Sequence, residues 1–204
     1  MPNLFTRNGY GQVEPNQLSA QKTGQIYASL PLAAEVEVLQ NGEFMYYDYK
    51  TKTVTADATV GEPMLVFNEI KLYEPFWRTS YKDFAMIRVG DNYVTSKLAT
   101  AGYGDGAENK GATVNPTHTE YGYRMDGIAP RMFKTNIGDI YTTNMVKTDV
   151  EYAVGDLLKP VKNEDTHTLV LEKASGDETG MLWQVGKVYT MPDGQPGLKL
   201  QRVQ

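Results

Sequence analysis

From Ala33 onward, apolar and polar side chains alternate over short stretches. Glu35-Val36-Glu37-Val38-Leu39 reads as a half-buried strand, because successive side chains of an extended chain point to opposite faces. Asn41-Gly42 follows, a dipeptide that favours a type I′ turn, and then the aromatic run Phe44-Met45-Tyr46-Tyr47-Asp48-Tyr49. Strand, turn, strand predicts a hairpin. Residues 50–59 mix Thr and Val with Lys, the composition of an edge or exposed strand. Further strands are predicted at 64–67, 70–73, 84–89, 93–98, 140–143, 157–161, 168–172, 182–185 and 198–203, separated by turn-forming runs such as Asn-Glu-Asp, Ser-Gly-Asp and Pro-Asp-Gly. No long window keeps a helical apolar period with clean caps. The expected fold class is all-β, or mainly β with one or two short helices, built as a sandwich or barrel-like domain.

The pattern changes before this region and again within it. Residues 1–31 are rich in Asn and Gln, broken by Gly and Pro, and carry apolar side chains only at intervals: Leu4, Phe5, Tyr10, Val13, Leu18, Ile26, Tyr27 and Leu30. Such a segment cannot build a core of its own. It reads as an extended N-terminal arm with a short helical turn near 16–22, or as a loosely ordered terminus. Residues 101–130 hold repeated glycines with Pro116 and Pro130, a long irregular stretch that is either an interaction loop or a plain insertion. The predicted organisation is an arm at 1–31, a β domain at 32–150, and at 151–204 a smaller β module or a continuation of the same domain. Val89-Gly90-Asp91-Asn92-Tyr93-Val94-Thr95 echoes Ile137-Gly138-Asp139-Ile140-Tyr141-Thr142-Thr143, which two independent Gly-Asp turns feeding strands explain.

Composition narrows the function classes. With 204 residues, 41% hydrophobic and 22% charged, the chain can bury a real core. The net charge of -5 and scattered basic residues argue against nucleic acid as a partner. The absence of cysteine removes disulfides, thiolate nucleophiles and cysteine-based metal sites. The first ten residues lack an apolar signal core and no apolar run is long enough to cross a bilayer, so no membrane partner is expected.

Catalytic motifs are missing in turn. His118 and His167 belong to no metal-binding pattern and read as loop histidines. There is no G-x-S-x-G elbow. The run Gly102-Tyr103-Gly104-Asp105-Gly106 lacks the Gly-Lys-Ser/Thr ending and the helix of a phosphate loop. Asp105, Glu108, Glu120 and Asp126 share one loop, but their spacing fits no calcium hand, and a solvated acidic loop is the simpler reading. No catalytic residue, cofactor or metal is assigned.

Tyrosine is the richer signal. Fourteen tyrosines exceed the six phenylalanines and two tryptophans together. Strand alternation puts Tyr46 on one side of its sheet and Tyr47 with Tyr49 on the other. Tyrosine is favoured at interfaces because its ring is apolar while its hydroxyl stays bonded. The candidate interaction residues are therefore Leu4, Phe5, Tyr10, Ile26 and Tyr27 in the arm, and Tyr103, Tyr121 and Tyr123 in the glycine-rich loop. A carbohydrate-binding β module is the rival class, and would use exposed Trp77 or Trp183.

The amide-rich start Met1-Pro2-Asn3-Leu4-Phe5-Thr6-Arg7-Asn8-Gly9-Tyr10, the run Tyr152-Ala153-Val154-Gly155-Asp156-Leu157-Leu158 leading through a turn into a strand, and the ending Gly186 to Leu200 resemble structural proteins of tailed bacteriophages, in particular capsid decoration (cement) and head-auxiliary proteins. The resemblance implies a virion protein, made in the host cytoplasm, without enzymatic activity. It would oligomerise, often as a trimer, and bind capsid or other virion proteins. Tail and connector components are a close variant.

Overall fold

Thirteen short strands and one helix form in the computed structural model, which describes residues 4–7, 11–36, 38–57, 61–68, 86–88, 129–175, 179–191 and 194–204. The strands are β1 (Val13–Gln17), β2 (Ile26–Tyr27), β3 (Val38–Gln40), β4 (Phe44–Asp48), β5 (Thr53–Thr55), β6 (Met64–Val66), β7 (Met86–Arg88), β8 (Met132–Phe133), β9 (Ile140–Thr143), β10 (Leu157–Asn163), β11 (Thr168–Lys173), β12 (Trp183–Thr190) and β13 (Pro196–Arg202). The helix α1 (Ser19–Thr23) is a single turn and a half, closed by Gly24 in the left-handed conformation. The chain is all-β in class.

Eleven of the strands make one antiparallel sheet in the order β1-β9-β13-β12-β10-β11-β4-β6-β8-β2, with β5 attached to β4. Its curl follows from chain length. Strands β8 and β9 stand seven spacings apart in this order. At about 4.8 Å per spacing they would be about 34 Å apart in a flat sheet. The chain from Phe133 to Ile140 reaches at most about 25 Å when fully extended. A flat sheet is impossible, and the observed sheet is a curled half-barrel.

The N-terminal segment, expected as an extended arm with one helical turn, runs along its own chain. β1 pairs with β9 (Val13↔Thr143, Glu14↔Thr142), and β2 pairs with β8 (Ile26↔Phe133, Tyr27↔Met132). Residues 13–27 thus lie antiparallel to 132–143, with α1 at the bend. Strands β10 to β13 join the same sheet as β4 and β6, so one sheet crosses position 150/151.

The predicted Asn-Gly hairpin does not form. Gly42 has a positive φ of 95 while Asn41 does not, which is a type II rather than a type I′ turn. The two strands part: β3 pairs with β7, and β4 pairs with β5, β6 and β11. Tertiary bonds decide this. Gly42 N–H donates to Val66 O at 2.9 Å, and the Asn41 side chain accepts from Asn68 N–H at 2.7 Å. A Cβ at Gly42 would collide with Thr143 Oγ1 and Met145 Cβ, so the turn is also pressed against the end of β9.

Inside the curl, one apolar cluster draws on both halves of the chain, including Phe44 and Leu65 from the first and Phe133, Leu158, Leu171 and Leu200 from the second. Its centre is aromatic. Tyr141 and Trp183 meet edge to face at 4.8 Å, and Phe44 lies 5.8 Å from Trp183. Full burial pushes the Tyr141 phenol well above its ordinary pKa. Neither the Tyr141 hydroxyl nor Trp183 Nε1 has a hydrogen-bond partner among the described residues.

A carboxylate is also buried. Glu43, 2% exposed, accepts from Gln40 N–H at 2.7 Å and from the Thr168 hydroxyl at 2.8 Å. Burial pushes its pKa up to about 7, against the pull of those bonds and of the Arg7 charge. Folding therefore takes up a proton between the ordinary value of 4.5 and about 7. The stability that Glu43 contributes is complete below the lower value and is lost as pH rises through the upper one.

Two predictions follow from this core. In Glu43→Gln, the amide oxygen accepts from Gln40 N–H and the amide nitrogen donates to Thr168. Chemical denaturation across pH 4.5 to 8 should show the mutant losing the alkaline decline, with a gain on the order of 3 kcal/mol at pH 8 relative to the native chain. Trp183→Ala should cost about 3–5 kcal/mol by the same measurement, whereas Tyr141→Phe, which removes an unbonded hydroxyl, should change stability by less than about 1 kcal/mol.

Candidate interaction surface around Arg202

Alternation along β13 turns Leu198, Leu200 and Arg202 to one buried side. The first two fill the core. Arg202, at the strand end and only 5% exposed, has to satisfy a guanidinium there. Its Nη1 donates to Thr135 O and to Thr135 Oγ1 (3.2 Å), Nη2 to Glu62 Oε1 (2.8 Å), and Nε to Gln204 O (3.0 Å). Because the Glu62 side chain is 57% exposed, that ion pair contributes little by itself. The buried Thr135 acceptors seat the arginine.

The Arg202 backbone holds a second feature. Gly138 N–H donates to Arg202 O at 2.8 Å, and Arg202 N–H to Asp139 O at 2.9 Å. Asp139, 4% exposed, takes Ser19 N–H on Oδ1 and both the Ser19 hydroxyl and Asn136 N–H on Oδ2, each at 2.9 Å. Asn136 closes the ring by donating from Nδ2 to Ser19 Oγ at 2.7 Å. The bend of α1 and the corner 134–139 are thereby fastened together. At the tip of this corner Ile137 is 72% exposed, and Val203, next to the same pair of backbone bonds, is 38% exposed.

On the other side of Arg202 lies an open cleft of about 410 Å³, lined by Tyr27, Tyr47, Glu62, Met64, Lys134 and Thr135 among others. Tyr27 and Tyr47 meet at 5.3 Å, and Tyr49, 65% exposed, extends the row from Tyr47 at 5.2 Å. Ser29 fixes the Tyr47 hydroxyl through its N–H (3.1 Å) and its own hydroxyl (2.6 Å). β4 ends at Asp48, so Tyr49 stands in the turn that follows, with its ring still against Tyr47.

Of the sequence-predicted interaction residues, Tyr27 lines this cleft and Ile26 packs against the core beside it. Phe5 and Leu4 lie elsewhere. Phe5 is 5% exposed, bridges Val150 and meets the Tyr152 ring at 5.7 Å, whereas Leu4 is 46% exposed. Tyr10, Tyr103, Tyr121 and Tyr123 fall outside the described residues, as do His118, Trp77 and the acidic residues of the glycine-rich loop. Trp183 offers no face to a carbohydrate, being fully buried. His167 takes a positive φ of 53 in the turn between β10 and β11, a structural position. Among the described residues, no three His, Asp or Glu side chains converge as a metal site would need, and no helix is long and apolar enough to cross a membrane.

Comparisons with protein-family models, with curated proteins and with solved structures return no match to this chain.

Several residues of this surface escaped sequence reasoning. Asp139 belongs to a Gly-Asp turn whose partners, Ser19 and Asn136, the local sequence does not indicate. Glu62, Lys134 and Arg202 are isolated in sequence and come together only through the sheet. The corner gives a direct test: Asp139→Ala leaves three donors without their acceptor and should lower the unfolding free energy by about 3 kcal/mol in urea denaturation.

Proposed function

We propose that this chain is a non-enzymatic structural protein of a tailed-phage particle, a capsid decoration or head-auxiliary protein that binds capsid subunits and its own copies. Tail or connector components are the nearest variant of the same role. The observation that carries the reading is the fixed exposure of Ile137. A large apolar side chain on a mobile loop is unremarkable, but this one sits on a corner fastened by Asp139, Ser19, Asn136 and Arg202. A preorganised apolar knob loses little entropy on docking, which favours protein contact. On a lattice of repeated sites, modest contacts of this kind sum through avidity. The texture of the N-terminal segment and of the last fifty residues, which resembles phage head proteins, supports the virion setting, and the net charge of -5 supports protein rather than nucleic acid as partner.

Light scattering coupled to size exclusion tests this on the full chain. The native protein should run as a defined oligomer, and Ile137→Asp, a surface change that leaves the circular dichroism spectrum intact, should run as a monomer. A native chain that is monomeric, or an oligomer indifferent to Ile137→Asp, overturns self-association through this corner.

A further inference from the structure

We propose that the cleft between Tyr27, Tyr47 and Lys134 is a saccharide site that accepts one pyranose unit. This goes beyond a structural role and uses a different surface from the Ile137 corner.

The cavity of about 410 Å³ is in the usual range for small-ligand pockets, about 300–1,000 Å³. Its walls are of two kinds. Tyr27, Tyr47, Pro63 and Met64 supply apolar surface, while Glu62 and Lys134 supply one acceptor and one donor group. Glu62 is held by Arg202 through Oε1 only, leaving Oε2 to accept. Lys134 is exposed, with its backbone fixed by a 3.1 Å bond to Gln25 O.

Those two groups select the ligand. Arg202 already compensates the Glu62 charge through a 2.8 Å ion pair and Lys134 is exposed to water, so the cleft offers an acceptor and a donor rather than a field that selects a charged ligand. A purely apolar ligand would make no use of either group. A neutral, hydroxyl-rich ring satisfies all of them. Its C–H face lies against the negative face of a tyrosine ring, and its hydroxyls donate to Glu62 and accept from Lys134. The Ser29 bonds to the Tyr47 hydroxyl hold that ring in place before binding, so little conformational freedom is lost on stacking. Tyr49, 5.2 Å from Tyr47 with its ring nearly perpendicular (74°), adds an exposed aromatic edge beside the cleft rather than a second stacking face. This placement differs from the sequence expectation, which rested on exposed tryptophan.

An array of immobilised neutral and charged oligosaccharides, probed with the full-length fluorescently labelled protein, tests the site. The native chain should retain a subset of neutral glycans. Titration calorimetry with the best of these should show affinity falling about tenfold or more in Tyr47→Ala and by a smaller factor in Lys134→Ala, an exposed position where replacement does not threaten folding. Ile137→Asp should bind as the native chain does, so failure of the oligomer reading and failure of this one remain separate. Retention of no glycan, preference for charged glycans, or binding that is unchanged in both Tyr47→Ala and Lys134→Ala overturns the proposal.

Discussion

Everything in this molecule depends on pairing between two segments far apart in the chain, 13–27 and 132–143. The second segment touches β6 through β8 and β13 through β9, and so ties together distant strands of the sheet. Only a short connection separates β8 from β9, and this length is what forces the curl. The curl in turn creates an inside, where Trp183, Tyr141 and Phe44 can be excluded from water. The N-terminal segment pairs with the otherwise free edges of the same two strands, and Asp139 locks the bend where the two segments turn together.

Arg202 links this scaffold to the surface. A buried guanidinium is costly unless its donors are all directed at acceptors, and here the acceptors come from the corner, from the chain terminus and from the cleft wall. Through its side chain Arg202 positions Glu62 of the cleft, and through its backbone it holds the corner that carries Ile137. The two surface features are different in chemistry, one an apolar knob and the other a mixed aromatic cleft, yet they share a single rigid support.

The β class and most of its strands were legible in the sequence. β9 matches residues 140–143, and β10 to β13 fall where alternation and turn residues place them. Those strands are long or flanked by strong turn chemistry, so local preference and tertiary structure agree. β1, β2 and β8 were not legible. β2 and β8 are two residues each, and β1 contains Pro15, tolerated because β1 is the last strand of the sheet and bonds on one side only. Asn41-Gly42 misled for a related reason: the dipeptide permits a type I′ hairpin, but bonds to Val66 and Asn68, invisible locally, select another turn. The surface was half legible. Tyr27 was singled out, whereas Glu62, Lys134 and Arg202 acquire meaning only when the sheet brings them together.

The pairing of 13–27 with 132–143 also sets an order of events during synthesis. The amino terminus leaves the ribosome first, but its ladder partners are made more than a hundred residues later. Until then β1 and β2 have no strand to bond, and the amide-rich composition of the first thirty residues keeps them hydrated while they wait. Closure of the sheet is a late, non-local step, slow by comparison with local hairpins such as β10–β11. Polar spacing in residues 1–31, which looks like a weakness in a core-forming segment, leaves little contiguous apolar surface exposed while the sheet is still open.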